Sequence, residues 1–295
     1  MHRDEQLERP LEKGLSEISG RMSERLLTVA NMLGGSSDDV SCRADNVSFG
    51  TLEKYRTIAD VGCDHGYVSI YLVLSGIAES AIAMDVRKGP LDIARSNVEG
   101  MNLKDRIETR LSDGLTELSQ GEADSLVIAG MGGKLMISIL EKKSLKDLGI
   151  KAAVLQPQSD IPEFRQYLRD KGFLIKDERM VLEDGKYYFP MKVMTDNCPG
   201  ADEGISSGAE AFDSADISKV QELFPEIDKE QLLRICNRYG EHNILRRDPL
   251  LKSFLEHGRE VNESILRSLD ESGHPERVNE IRLEIKDIEL VLNLF

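Results

Sequence analysis

The sequence predicts an α/β protein with a mostly parallel sheet, helices on both faces of that sheet, and a helical C-terminal part. From Thr57 onwards, short apolar runs typical of buried strands alternate with segments of helix length. Such alternation implies right-handed crossovers and therefore parallel strands. Beyond residue 216 the apolar residues follow helical spacing alone.

The segment before the first strand contains one predicted helix. Residues 1–18 are mostly polar, and we expect a flexible N-terminal extension there. Ser19 or Ser23 would cap the helix, whose apolar positions end at Leu33. Residues 34–46 are rich in Gly, Ser and Asp, which predicts a loop.

The alternating region follows. Its strand-like runs cover residues 57–61, 80–84, 107–111, 124–129 and 151–155. Its helical segments cover residues 67–76, 89–100, 133–142 and 161–171. Two more apolar runs, at 173–182 and 186–194, predict an antiparallel hairpin at the sheet edge, because Asp184-Gly185 between them is a strong turn signal.

The remaining chain divides into an acidic linker over residues 196–216 and a helical hairpin domain over residues 217–295. Apolar seams with three-four spacing at 251–269 and 278–295 predict two antiparallel helices. Each seam covers only about three heptads, which favours a packing module over a dimer-forming coil. A monomer is compatible with this pattern.

Composition narrows the class of protein. The chain has 295 residues, of which 40% are hydrophobic and 31% charged, as is typical of a globular protein. It shows no apolar run of membrane-spanning length, no secretory signal and no C-x-x-C pair. We therefore expect a cytoplasmic protein without a membrane span or a structural metal.

The distribution of charge along the sequence indicates whether and where the protein could bind nucleic acid. The net charge of −15 argues against nucleic-acid binding by the surface as a whole. A local excess of base nevertheless occurs in the C-terminal part, where we expect phosphate contacts from Arg234, Arg238, Arg246 and Arg247.

The turn after the first predicted strand is the first candidate for a ligand site, because ligands of open parallel sheets bind beyond the carboxyl ends of the strands. Asp60 is the penultimate residue of this strand, and Gly62, Asp64, His65 and Gly66 follow the strand. Glycines here let a ligand approach the N–H groups at the start of the next helix. The alternative is a tight turn without a ligand.

The next two strands end in carboxylates. Asp85 lies about 20 residues beyond the first turn, where a carboxylate accepts both hydroxyls of a ribose. Asp113, followed by Gly114, suits an adenine amino group. Each acid taken singly is better explained as a helix N-cap. Together they predict a cofactor that carries a nucleoside.

The fourth and fifth strands end in AGMGG and LQPQ. The first is almost bare backbone around Met131, and the second carries Gln156 and Gln158. Charge then selects the cofactor. Asp64 would repel the pyrophosphate of a dinucleotide, whereas Asp60 and Asp64 suit the ammonium and sulfonium groups of S-adenosylmethionine.

Several segments carry a resemblance to a known family, namely MSERLLTVANML, IADVGCDHGYV, SDGL, IAGMGG, LQPQ and LEDGKYYFPMKV. They resemble the TrmK family, bacterial tRNA methyltransferases that modify N1 of the adenine at position 22. The resemblance implies a Rossmann-like class I methyltransferase domain over 19–195 with a mostly parallel seven-stranded sheet. It also implies S-adenosylmethionine as donor and a coiled-coil-like helical C-terminal domain that helps to hold tRNA.

The resemblance also implies the cofactor contacts. At matching positions these are Arg25, Gly62, Asp64, His65, Asp85, Asp113, Gly114 and Gly130. His65 has an alternative role as a hydrogen-bond partner of the backbone in its own turn. Cys63 and Gln158 depart from the family pattern, in which a small hydroxyl residue and an asparagine are common.

Methylation of adenine N1 requires alignment and base extrusion rather than a strong base, since this nitrogen has a free lone pair. Oxygen atoms would stabilise the cationic product. We expect them from the carbonyls of Gly130 and Met131 and the side chains of Gln156 and Gln158. Tyr187 or Tyr188 would stack on the base, and each is equally well explained as a core residue.

Two other functions remain open. One is methylation of a small molecule or a protein, which the basic C-terminal cluster disfavours. The other is a non-catalytic module that binds S-adenosylmethionine, which the complete set of cofactor residues disfavours. A DNA adenine-N6 methyltransferase is disfavoured most, because no N-P-P-Y motif follows the fourth strand.

Overall fold

A computed structural model of the chain describes residues 13–35, 53–195, 215–269 and 274–295. The strands are β1 Tyr55–Val61, β2 Ala78–Asp85, β3 Ile107–Leu111, β4 Ser125–Met131, β5 Ala152–Pro157, β6 Leu174–Glu178, β7 Val181–Glu183, β8 Lys186–Tyr188 and β9 Met191–Met194. The helices are α1 (13–19), α2 Glu24–Leu33, α3 Tyr67–Leu74, α4 Lys88–Gly100, α5 Gly133–Lys142, α6 Leu145–Leu148, α7 Ile161–Asp170, α8 Ala215–Leu223, α9 Lys229–Tyr239, α10 Glu241–Arg246, α11 Pro249–Ser268 and α12 Pro275–Leu292.

Seven strands form one sheet in the order β3-β2-β1-β4-β5-β9-β6. Strands β1 to β5 pair in parallel, and β9 is antiparallel to both of its neighbours. The predicted parallel strands and the seven-stranded, mostly parallel sheet are therefore confirmed. Each predicted strand is found with its ends shifted by at most a few residues.

The sheet separates two apolar layers. Helices α2, α3 and α4 cover one face, with Leu33, Ile70 and Leu91 buried, whereas α5, α7 and the C-terminal helices share the other. Successive residues of β1 alternate between the layers, Ile58 facing the first and Ala59 the second, because strand side chains alternate across a sheet.

The predicted hairpin is antiparallel, but it is not continuous. Its outer parts, β6 and β9, pair in the main sheet, while β7 and β8 form a separate two-stranded ribbon. Asp184 and Gly185 turn the ribbon with φ of 50° and 73°. The break between β8 and β9 occurs at Pro190. Proline has no N–H to donate, so it interrupts the hydrogen bonding between strands.

The N-terminal extension predicted over 1–18 is wrong for its last residues. Residues 13–18 are helical, and Ile18 is fully buried under the first apolar layer. Ser23, one of the two predicted caps, accepts a hydrogen bond from the Leu26 N–H at the start of α2. Residues 1–12, and most of the predicted loop and acidic linker, lie outside the described residues.

The C-terminal helices do more than form a hairpin. Helices α11 and α12 pack against each other, with Gly258 close to Ile288. Three shorter helices, α8 to α10, precede them and were not predicted. Their buried residues, among them Val220 and Ile235, belong to the same apolar layer as α7. Across the described ranges, no helix has both the length and the apolar character that membrane crossing requires.

Two buried arginines of α7 connect these helices to the sheet domain. Arg165 on α7 lies 2.6 Å from Glu178 at the end of β6, and both side chains are fully buried. Arg169, one turn later, makes a two-pronged contact with Glu241 at 2.6 and 3.1 Å. Both arginines also donate to Asn237 on α9.

We expect Glu241→Ala to lower the free energy of unfolding by about 3–5 kcal/mol, because it leaves the Arg169 guanidinium buried without its partner. Urea unfolding followed by circular dichroism measures this loss. The control is Glu280→Ala, which removes the exposed partner of Arg277 and should cost less than about 1 kcal/mol. Equal losses in the two variants would contradict the role given to the buried pair.

Candidate active site

A cavity of about 520 Å³ lies beyond the carboxyl ends of β1, β2 and β4. This is where the order of the strands reverses, with β2 and β4 on opposite sides of β1. Most of the predicted residues line it, namely Arg25, Asp60, Gly62, Asp64, His65, Asp85, Asp113, Gly114, Gly130, Met131 and Gln158. Gln156 and Tyr188 are not among the lining residues, but both contact Arg25, which is.

The turn after β1 depends on left-handed backbone. Gly62 and Asp64 have φ of 76° and 49°, and the N–H groups of Gly62 and Cys63 both donate to the Met84 carbonyl of β2. A Cβ atom on Gly62 would lie 2.3 Å from the methyl group of Met131. Glycine is favoured here by the left-handed backbone, and any larger residue would also have to displace the end of the Met131 side chain.

Two buried carboxylates form the floor of the cavity. Asp60 accepts a hydrogen bond from Ser69 Oγ at 2.7 Å, and burial raises the pKa of Asp60 to about 6, with a further contribution from nearby Asp85. Asp85 accepts from the Arg87 N–H at 2.8 Å and from the Asp64 N–H at 3.4 Å. It does not cap α4, so the N-cap explanation of Asp85 is wrong.

The other polar residues of the rim are more exposed. Asp113 pairs with Lys142 at 2.9 Å, and no helix starts directly after it. His65 lies 3.6 Å from the Asp64 carboxylate, and its ring meets the edge of Tyr67. The rim thus offers hydrogen-bond acceptors, which are suited to hydroxyl, amino and cationic groups of a ligand.

Gln156 serves the wall of the cavity and not its interior. Its fully buried amide oxygen accepts Nη1 of Arg25 at 2.7 Å and the Gly130 N–H at 3.2 Å. Its amide nitrogen donates to the Pro157 carbonyl at 2.9 Å. Both ends of the side chain are occupied, so the expectation that Gln156 faces a substrate is wrong.

Gln158 has an exposed side chain that lines the cavity close to Gly130. Its backbone N–H donates to the Met131 carbonyl at 2.8 Å, which occupies one of the two lone pairs of this oxygen. The role predicted for the Met131 carbonyl beside a cationic product stays a prediction. Asp160, and not Gln158, occupies the N-cap position of helix α7. The competing explanation of Gln158 as a helix cap is therefore wrong.

The two tyrosines of β8 point to opposite sides. The ring centre of Tyr188 lies 5.1 Å from the Arg25 guanidinium. Tyr187 meets Phe254 of α11 edge-on at 5.2 Å. Tyr187 is thus a packing residue, and Tyr188 is the one next to the cavity wall.

The predicted phosphate-binding cluster is largely committed to internal ion pairs. Arg234 binds Asp287 at 2.7 Å, Arg238 binds Glu284 at 3.1 Å, and Arg246 binds Asp177 at 2.6 Å. The carboxylates come from α12 and β6, which are distant in sequence. The expectation that these arginines contact phosphates stays a prediction, and it now concerns partly exposed guanidinium groups that each already pair with a carboxylate.

Two apolar side chains at the rim were missed. Val86 follows Asp85, Leu135 lies in the first turn of α5, and both line the cavity although more than half of each side chain is exposed. Large exposed apolar groups beside a cavity suit the faces of an aromatic ligand. For Val86, the sequence contained a usable signal, namely an apolar residue directly after the carboxylate at the end of a strand.

A family model described as a methyltransferase domain matches residues 43–191, half of the chain. The chain belongs to this methyltransferase domain family. The match covers β1 to β8 and reaches the start of β9, and so includes the strands whose ends form the cavity. The α/β fold class predicted from the sequence is confirmed.

Comparison with individual proteins agrees with the match to the methyltransferase domain. The tRNA (adenine(22)-N(1))-methyltransferase of Bacillus subtilis is 38% identical over 152 residues, which is 52% of this chain and 64% of that protein. The solved structure of the B. subtilis m1A22 tRNA methyltransferase TrmK is 25% identical, with a TM-score of 0.65 over 92% of this chain and 98% of that one.

A second solved structure extends the comparison. A Streptococcus pneumoniae protein in complex with S-adenosyl-L-methionine is 27% identical, with a TM-score of 0.66 over 92% of this chain and 99% of that one. These comparisons confirm the resemblance to the TrmK family. In the sequence alignment, the chain spans less than two thirds of the length of the curated Bacillus relative.

We expect Asp60→Asn to raise the free energy of unfolding at pH 8 by on the order of 1–3 kcal/mol. The fold favours the neutral carboxyl, so the contribution of Asp60 to stability is full below the unfolded pKa of 3.8 and is lost as pH rises through about 6. Urea unfolding at pH 4 and pH 8 should therefore show little gain at pH 4. A gain of equal size at both pH values would contradict this.

Proposed function

We propose that the protein is an S-adenosylmethionine-dependent tRNA methyltransferase that acts on N1 of an adenine, at position 22, in the cytoplasm. The observation that carries the proposal is the cavity at the strand-order reversal, where buried Asp85, a glycine turn and exposed apolar side chains meet. The functions named for the similar proteins supply the substrate. In this proposal residues 19–195 carry the donor and the helices from 217 onwards help to hold tRNA.

The residues present fit the donor. Asp85 offers a carboxylate to ribose hydroxyls, Val86 and Leu135 flank an adenine ring, and Asp113 accepts its amino group. Asp60 and Asp64 match the ammonium end in charge. The cavity, at about 520 Å³, is within the ordinary range for small-molecule sites. When bound, the donor supplies a methyl group on a sulfonium.

The substrate side of the cavity lies beside the AGMGG turn. Gln158 is the polar side chain nearest to Gly130 on this side, and its amide oxygen suits the amino group of adenine. Tyr188, whose ring lies against Arg25, offers a surface for stacking. These residues would hold the base so that N1 faces the methyl group, and alignment supplies most of the rate gain.

Incubation with labelled donor and unmodified bacterial tRNA tests the function. Mass spectrometry of the digested RNA should show 1-methyladenosine, and the product should disappear when the adenine at position 22 is replaced. If the tRNA gained no methyl group while an added protein or small metabolite was methylated, the result would support the alternative substrate class.

Asp85→Ala should weaken donor binding by about 2–4 kcal/mol, because two charge-assisted hydrogen bonds to the ribose are lost. Titration calorimetry with S-adenosylmethionine measures the affinity. Asp92→Ala, which removes an exposed carboxylate on the following helix, is the control and should bind as the wild type does. Unchanged affinity of Asp85→Ala would remove this residue from the site.

Gln158→Ala should lower the single-turnover rate by roughly tenfold to a hundredfold, since about 1.4–2.8 kcal/mol of orientation is lost. Donor affinity should stay the same, because the side chain faces the substrate. Melting temperature measured on the same variant should also be unchanged, since Gln158 does not cap α7. A near-normal rate with a lowered melting temperature would defeat the catalytic role.

A further inference from the structure

The β7–β8 ribbon contacts the N-terminal helix through one carboxylate. Glu183 at the end of β7 accepts the backbone N–H of Arg25 at 3.3 Å, and its second oxygen lies 3.4 Å from Nε of the same arginine. Burial alone would raise the pKa of Glu183, but hydrogen bonds from Ser23 and Arg25 lower it below the usual value. An anion is also favourable at the first turn of a helix.

Arg25 is held on several sides. Its guanidinium lies over the Tyr188 ring at 5.1 Å, and Nη1 donates to Gln156 at 2.7 Å. Gln156 in turn accepts the Gly130 N–H. Glu183 and Tyr188 lie on one face of the ribbon, because Val181 pairs with Tyr188 and strand residues alternate. Two side chains of the ribbon, Glu183 and Tyr188, therefore contact the Arg25 side chain together.

These contacts leave part of the arginine available. Arg25 lines the cavity, and within the described ranges its second terminal nitrogen, Nη2, makes no hydrogen bond. The remaining charged rim of the cavity is mostly acidic. Arg25 is thus the natural partner for a carboxylate on a ligand whose other groups are cationic or hydroxylic.

The opposite face of the ribbon is anchored independently. Tyr187 meets Phe254 of α11, and Phe254 also contacts Phe189 and Tyr239 edge-on. A two-stranded ribbon is marginally stable without such support. The ribbon that carries Glu183 is thus supported by the C-terminal helix α11 as well as by Arg25.

We propose that Glu183 is a positioning residue for the methyl donor. It fixes the Arg25 guanidinium so that Nη2 meets the carboxylate of the methionine part of the donor. Through Gln156, the same arginine is linked to the Gly130 amide in the turn where methyl transfer would occur. The inference rests on the proposed function for the identity of the donor.

Titration calorimetry with S-adenosylmethionine tests it without tRNA. Glu183→Ala should raise the dissociation constant roughly 5- to 30-fold, and Glu183→Gln, which keeps an acceptor for the Arg25 N–H, should raise it less. Asp184→Asn is the matched control, an exposed carboxylate one residue away, and should bind as the wild type does. Misfolded protein would lower the binding stoichiometry and leave the dissociation constant unchanged.

A double-mutant cycle separates positioning from a direct contact. If Glu183 acts through Arg25, then Glu183→Ala should have no further effect on affinity in the Arg25→Ala background. Fully additive losses, or an unchanged dissociation constant in Glu183→Ala, would overturn the inference while leaving the proposed function in place. Failure of the wild type to bind the donor would overturn the proposed function, and the inference with it.

Discussion

Strand β1 is hydrogen-bonded in parallel to β2 on one side and to β4 on the other. The chain passes from β1 to β2 on one side and returns from β3 to β4 on the other, so the connections on the two sides of β1 diverge and a cavity opens at its carboxyl end. The turn after β1 must bend sharply within this opening, which requires left-handed backbone at Gly62 and Asp64. The rest of the site is arranged around that turn.

The carboxylates of the site are held by the fold before any ligand binds. Asp85 connects two turns by accepting the N–H groups of Arg87 and Asp64, and Asp60 is held by Ser69. Burying these groups costs free energy, as the raised pKa of Asp60 indicates. A ligand with a cationic or hydroxyl group would stabilise the ionised carboxylates and so offset part of this free energy. The same buried carboxylates that destabilise the free protein therefore favour binding of such a ligand.

The C-terminal helices are part of the same folded unit as the sheet. Their apolar residues continue the layer beneath α7. Arg169 reaches them through its buried ion pair with Glu241, and Arg165 through a hydrogen bond to the Asn237 carbonyl. The same helices support the β7–β8 ribbon through Phe254. A change in the C-terminal helices therefore has a short physical route to Arg25 at the cavity wall.

The sequence by itself determined the strands and helices of the alternating region and the edge of the sheet where the site lies, but not α1 or the helices α8 to α10. Strand and helix periods, the glycines of the turns and the Asp184-Gly185 signal are local properties, so they can be recognised without knowledge of the fold.

Tertiary structure alone decided which residues contact each other. Arg25 and Glu183 are 158 residues apart, and no local pattern joins them. Periodicity made the two tyrosines of β8 equivalent, and only packing against Phe254 distinguished Tyr187. The arginines of the C-terminal part looked free because the carboxylates that neutralise them lie on other elements, and electrostatic pairing depends on distance in space and not on distance along the chain.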